Sequence, residues 1–159
     1  MGANQEPRLL VDGTAGRLAR WLRILGIDAE GVATGDVAAL VRHARQSARR
    51  MVTRNRNLAE RLGPGAIYLT SQCLEEQLRQ VVRAVGRERC SVFSRCSICN
   101  ERLAEIPKEQ VAGRVPAYVY ANHERFACCP VCGRYYWQGT HWQHMLEEIQ
   151  AVLEGKRDG

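Results

Sequence analysis

Leu9-Leu10-Val11-Asp12-Gly13-Thr14-Ala15-Gly16-Arg17-Leu18-Ala19-Arg20-Trp21-Leu22-Arg23-Ile24-Leu25-Gly26 changes period partway along its length. Leu9-Leu10-Val11 is a continuous apolar run, which suits a strand covered on both faces. It ends at Asp12-Gly13. From residue 15 to residue 25, Leu18, Leu22 and Leu25 recur at spacings of four and three, the period of a helix with one apolar stripe. Gly26 stops that helix. A doubly buried strand followed at once by an amphipathic helix is the unit from which parallel sheets are built.

The same unit recurs through residue 90. Residues 27–33 form a weak second strand. Asp36 is placed to cap a helix through about Arg45, with Val37, Leu40, Val41 and Ala44 on one side. Met51-Val52-Thr53 is a third short strand, and a short helix at Leu58–Leu62 ends at Gly63-Pro64-Gly65. Ala66-Ile67-Tyr68-Leu69 is a fourth strand. Leu74, Leu78, Val81, Val82 and Val85 mark a helix that ends at Gly86. The order β-α-β-α-β-α-β-α predicts an α/β fold, a parallel sheet flanked by helices on both faces. Functional groups of such sheets collect at the carboxyl ends of the strands, which places Asp12 and Thr53-Arg54-Asn55 on one rim, with Asp36 opening a nearby helix.

After Gly86 the pattern breaks. Cys96-Ser97-Ile98-Cys99 and Cys129-Pro130-Val131-Cys132-Gly133 are two C-x-x-C knuckles with 29 residues between them. Thiolates on two short turns supply the soft tetrahedral ligand set that Zn²⁺ prefers. Asn100 and Gly133 follow the second cysteine of each pair, and both tolerate the left-handed backbone such turns need. Cys96, Cys99, Cys129 and Cys132 are therefore the candidate zinc ligands. Cys128 competes for the second knuckle but lacks the two-residue gap to Cys132. A closed four-sulfur site is structural, so chemistry is expected elsewhere. Short aromatic runs at Ala117-Tyr118-Val119-Tyr120 and Tyr135-Tyr136-Trp137 read as strands of a small zinc ribbon, with a last helix over residues 141–154. The expected division is an α/β domain over residues 1–90 and a four-cysteine zinc ribbon plus C-terminal helix over residues 91–159.

The formal net charge of +6 is unevenly placed. Residues 1–90 hold 15 arginines against 9 acids, a net of +6; residues 91–159 hold 8 basic and 8 acidic groups, a net of zero. Arginine forks onto phosphate and stacks on bases, so the excess suits nucleic acid. A genome rich in G and C also favours arginine over lysine, but does not explain the asymmetry. Arg17, Arg20 and Arg23 recur along one side of the first helix, and Arg54 and Arg56 flank Asn55. These five are the candidate nucleic-acid-binding residues; a solvated helix face is the plain alternative for any one of them. No segment is apolar enough to span a membrane, and residues 1–7 lack the apolar stretch of a signal peptide. Cysteines in metal spacing rather than a disulfide framework point to a reducing, cytoplasmic setting. No P-loop, dinucleotide fingerprint or nucleophile elbow is present.

The opening stretch from Leu10 to Gly26, with Thr53-Arg54-Asn55-Arg56-Asn57-Leu58-Ala59, Phe93-Ser94-Arg95-Cys96-Ser97-Ile98-Cys99-Asn100 and Tyr135-Tyr136-Trp137-Gln138-Gly139-Thr140-His141-Trp142, resembles the Mut-seven C-terminal RNase domain family. The resemblance runs from about Arg8 to Met145. It implies a PIN-like nuclease fold joined to a zinc ribbon, and a metal-dependent endoribonuclease activity. PIN-like nucleases hold Mg²⁺ or Mn²⁺ with acids at the carboxyl rim of the sheet. Asp12 matches the acid that ends the first strand, and Asp36 the acid that opens the second helix. The third acid of the family falls at Asn55, an amide. Hard divalent cations are held chiefly by carboxylates, so a site of Asp12, Asp36 and Asn55 is expected to bind its metal weakly.

Two functions stay open on the sequence. One is a metal-dependent ribonuclease, reduced in activity because Asn55 replaces an acid. The other is a catalytically weak or inactive RNA-binding module that docks on structured RNA or a ribonucleoprotein such as the ribosome. A third, a protein-interaction scaffold, fits the basic excess of residues 1–90 less well. Asp12 and Asp36 also have a plainer role open to them as helix caps, and Asn55 as a turn residue. His123, His141 and His144 are assigned to packing or surface, because four cysteines already complete a zinc site. Trp137, Trp142, Tyr118, Tyr120, Tyr135 and Tyr136 are expected to build the ribbon's core, with one or two of them open to base stacking.

Overall fold

A computed structural model describes residues 6–33 and 35–154. Four parallel strands, β1 (Arg8–Asp12), β2 (Asp28–Val32), β3 (Arg50–Thr53) and β4 (Ala66–Tyr68), form one sheet in the order β2-β1-β3-β4. They are joined by α1 (Gly16–Ile24), α2 (Val37–Ser47) and α3 (Arg56–Leu62), and β4 leads into α4 (Leu74–Val85). The expected strand-helix alternation is therefore present in full.

Strand alternation sorts the core into two layers. Leu9, Val11, Val52 and Ile67 face Leu18, Leu22, Leu78 and Val81 of α1 and α4. Leu10 and Met51 face the other way, against Leu40, Val41 and Ala44 of α2 and Leu58 of α3. Both layers are dry: Leu10, Leu18, Leu22, Met51, Val52, Leu58 and Val81 have no exposed surface. Each such side chain contributes about 1.5–3 kcal/mol relative to an exposed one.

The connection from β1 to β2 runs outward to one edge of the sheet. The connection from β2 crosses back over β1 to β3 on the opposite face. The strand order reverses between β1 and β3, the place where open α/β sheets form a crevice beyond the carboxyl ends of the strands. Ligands of open α/β sheets bind at such reversal points.

A smaller antiparallel sheet follows, β5 (Ala104–Ile106), β6 (Phe126–Cys128) and β7 (Tyr135–Tyr136), in the order β5-β6-β7. The expectation of a strand at Ala117-Tyr118-Val119-Tyr120 is corrected. These residues begin a short helix, α5 (Ala117–Asn122). The N–H groups of Val119 and Tyr120 both bond the Pro116 carbonyl at 3.0 Å, so proline opens a helical turn. The alternation was misleading because the turn buries Val119 alone, beside Val111, Val115 and Phe126, and leaves Tyr118 71% exposed. The aromatic core is accordingly smaller than expected: Tyr120, Tyr135 and Trp137 pack on that cluster, while Trp142 lies against Phe93 with ring centroids 4.8 Å apart.

The last helix, α6 (Thr140–Glu154), returns to the first sheet. It packs on α4, and Ile149 and Val152 are buried in the same layer as Leu9, Leu18 and Leu22. No described helix is long and apolar enough to cross a membrane.

Candidate functional site

Asp12 is the last residue of β1 and is 1% exposed. Alternation puts it on the Leu10 side of the sheet, and Thr53 on the Met51 side, which is the same side. The Thr53 hydroxyl donates to Asp12 Oδ2 at 2.7 Å, and its oxygen accepts the Asn55 N–H at 2.9 Å. A chain of hydrogen bonds thus runs from Asp12 through Thr53 to Asn55 across the crevice. The sequence places Thr53 in the rim segment without marking its role. Its partner is 41 residues away, and the signal available was its place two residues after Met51, on the face shared with Asp12.

Asn55 precedes α3, and its side-chain oxygen accepts the Leu58 N–H at 3.2 Å. Asp36 precedes α2 and accepts the Ala38 N–H at 3.3 Å. Both are N-caps, the plainer role weighed above, and both lie at the carboxyl rim on the face that α2 and α3 cover. Asp12 is buried, Asn55 half-buried and Asp36 exposed. The hydrogen bonds through Thr53 join Asp12 to Asn55 and do not extend to Asp36, whose bond is to its own helix. Among the described residues, the group of three or more His, Cys, Asp or Glu side chains close enough to hold a metal is the cysteine cluster.

The arginines divide. Arg17 and Arg20 are exposed on α1, with no partner among the described residues. Arg54 is half-buried at the rim, and the Arg56 guanidinium lies 5.8 Å over the Tyr68 ring. Arg23 is committed elsewhere. Its Nε donates to the Ala29 carbonyl at 2.8 Å, and a terminal nitrogen donates to the carbonyls of Ser97 and Ile98 at 3.2 and 3.1 Å. Burial lowers its pKa, opposed by the nearby Cys96 sulfur and Asp28 carboxylate. Arg23 fastens the first cysteine knuckle to the sheet.

That joint holds further buried polar groups. Asn100, with φ of 64°, accepts the Ala29 N–H and donates to Asp28 Oδ1 at 2.7 Å. Arg49 donates to the same carboxylate oxygen at 2.7 Å and to the Leu9 carbonyl at 3.0 Å. Burial alone would raise the Asp28 pKa; the hydrogen bonds from Arg49 and Asn100 outweigh it and hold the carboxyl below its usual range. Arg95, 9% exposed, reaches the carbonyls of Gly26 and Asn100. Gly26 has φ of +85°, and a Cβ there would lie 2.1 Å from the Ser91 carbonyl oxygen. A side chain at position 26 is excluded by space as well as by backbone angle.

The sulfurs of Cys96, Cys99, Cys129 and Cys132 lie within 4.8 Å of one another, and those of Cys96 and Cys132 are 3.8 Å apart. A tetrahedron with Zn–S bonds of about 2.3 Å has edges of about 3.8 Å, so the cluster fits structural zinc. Asn100 and Gly133 adopt the expected left-handed backbone, at 64° and 75°. Cys128 is outside the cluster. Burial opposes ionisation of Cys96. Hydrogen bonds from the Tyr136 hydroxyl at 3.0 Å and the Cys99 N–H outweigh that cost and draw the thiol down to about 6. Cys99 is pushed up to about 12, by lost solvation first and then by its hydrogen bonds with the Cys132 and Cys129 sulfurs. One thiolate forms readily, while Cys99 and Cys129 resist a further charge unless a cation gathers the sulfurs. The Tyr136 contact was not legible in the sequence, since 40 residues separate it from Cys96.

The sequence model of the Mut7-C RNAse domain matches residues 7–149, and the chain belongs to that family. No curated protein and no solved structure matches it.

Proposed function

Starting from membership of that RNase family, we propose that the chain is a metal-dependent endoribonuclease of slow turnover, acting at the crevice between β1 and β3. The Asp12–Thr53–Asn55 hydrogen-bond chain carries the reading, because it fixes a buried carboxylate where the strand order reverses. Asp12 and Asp36 would hold Mg²⁺ or Mn²⁺, with the Asn55 amide oxygen as a neutral third donor. Such an ion lowers the pKa of bound water and offsets charge on the phosphate during in-line attack. Thr53 orients Asp12 by donating to Oδ2 at 2.7 Å. Arg17, Arg20, Arg54 and Arg56 supply positive charge for the RNA backbone. Arg23 is omitted because its donors are engaged with backbone carbonyls.

Asn55 sets the rate. It keeps the cap on α3 while lowering the charge available to a cation, and aspartate would serve equally well as a cap. In cleavage of RNA with added Mn²⁺, Asn55→Asp is expected to raise turnover about tenfold or more, and Asp12→Ala to abolish it. Native cleavage that survives Asp12→Ala overturns the proposal. The same position favours a second reading, in which the chain binds structured RNA or a ribonucleoprotein without cleaving it. RNA retained by the native chain, with no cleavage by it or by Asn55→Asp, establishes that reading instead.

A further inference from the structure

A cleft of about 720 Å³ lies between α1, the small sheet and the start of α6, away from the Asp12 crevice. Its volume is that of a small-ligand site, but its walls are unusual for one. Phe93, Trp142, Tyr135 and Trp137 line it, and Arg20 stands at its edge. A second cavity of about 400 Å³ shares Arg20 and the Tyr135–Trp137 strand and adds Arg114 and Arg134. The aromatic strand is thus a wall with arginines around it.

Two features mark the cleft as built rather than left over. Phe93 has a backbone φ of +62°, a costly angle for a bulky side chain, held by its N–H bonding the Ile24 carbonyl at 2.8 Å. The strained residue is the one whose ring meets Trp142 in the cleft. The charges are also unequal. Glu105 is spent on Arg125, and Arg102 is paired with Glu6. Arg20 and Arg134 have no partner among the described residues. Flat half-buried rings bordered by unpaired guanidinium groups suit one polymer chemistry, a chain of planar bases joined by phosphates.

We propose that this cleft binds the unpaired bases of single-stranded RNA, stacked on Trp137 and Trp142, with their phosphates on Arg20 and, in the second cavity that shares it, on Arg134. Helix α1 gives the path. Arg17 stands near its start at the sheet rim, and Arg20 is one helical step of about 4.5 Å further along the axis, at the cleft. RNA that enters the rim past Arg17 continues along α1 to Arg20. The cleft then selects an unpaired segment, and the rim acts beside it. This inference rests on RNA being the substrate of the rim, and its test separates the two.

The test is binding of a fluorescent single-stranded RNA, and of the same RNA annealed to its complement, to the full zinc-loaded chain without added magnesium or manganese. The native chain is expected to prefer the single strand and to lose tryptophan fluorescence on binding. Trp137→Ala is expected to weaken single-strand binding about tenfold, with Trp137→Phe retaining most of it. Arg134→Glu is expected to weaken it by a factor that grows as salt is lowered, because one phosphate contact is lost. Zinc content and circular dichroism of each variant report folding. Equal affinity for single strand and duplex, or full affinity in correctly folded Trp137→Ala, overturns the cleft while leaving the rim proposal standing; a cleft that takes a peptide gives the latter result. Preferential single-strand binding without Mn²⁺-dependent cleavage supports the cleft and removes the rim as a nuclease.

Discussion

The two edges of the large sheet are finished in opposite ways. At the carboxyl edge, Asp36 is exposed and Asn55 half-buried, while Asp12 and its partner Thr53 are buried. At the amino edge, Arg23, Arg49, Arg95 and Asn100 are spent on carbonyls and on Asp28, closing the sheet against the first cysteine knuckle. The first edge places Asp36 and Asn55 within reach of solvent. The second satisfies its donors internally and so fixes the small sheet in place. Buried polar networks of this kind are rigid when every member is paired and costly when one is lost. Variation should therefore act on stability at one edge and on activity at the other.

The strongest way to break that contrast is to remove the metal. Structural zinc in small modules is worth on the order of 10 kcal/mol. Chelation, or Cys96→Ser, is expected to unfold residues around β5–β7 and to release the knuckle from α1. Hydrogen exchange should report lost protection there, with the Leu10 and Met51 layer retained. Uniform loss across both sheets would show that the two edges do not differ in this way. Zinc loading should also weaken as pH falls, since the thiols must lose protons to bind.

A smaller effect is expected at Asp28. Its folded pKa is lowered, so its contribution is present above the ordinary carboxylate pKa and is lost as pH falls through the folded value. Asp28→Asn keeps the acceptor for Arg49 and Asn100 but not the charge. It is expected to cost about 1–2 kcal/mol near neutral pH, by urea unfolding. The difference from the native chain should close in acid, as pH falls through the folded value. A gap that persists there would assign the effect to shape rather than charge.

The smallest lies at the carboxyl edge. Asn55→Ala removes the cap on α3 and is expected to cost about 1 kcal/mol in thermal or urea unfolding. A larger loss would mean that the rim also serves as a structural joint, and the contrast between the edges would have to be redrawn.

The elements of the large sheet were legible because each repeats a local period: Leu18, Leu22 and Leu25 for α1, the continuous run Leu9–Val11 for β1. The rim was legible because β-α units send strand ends to one side, and because family resemblance pointed at Asp12, Asp36 and Asn55. Thr53, Arg23 and Tyr136 were not legible in their actual roles. Each acts on a partner 40 or more residues distant, and no local pattern encodes that partner. The Ala117–Tyr120 segment failed for another reason: its alternation satisfies a strand, while Pro116 supplies the stronger instruction to begin a helix.

The placement of α6 has a consequence during synthesis. A growing chain completes the layer of Leu40, Val41 and Leu58 by residue 66, but Ile149 and Val152 reach the opposite layer only after the whole small sheet has been made. At about 5–20 residues per second, α4 waits several seconds for its cover. For that interval the nascent chain presents an oily face, and its escape from aggregation depends on how fast the final helix arrives.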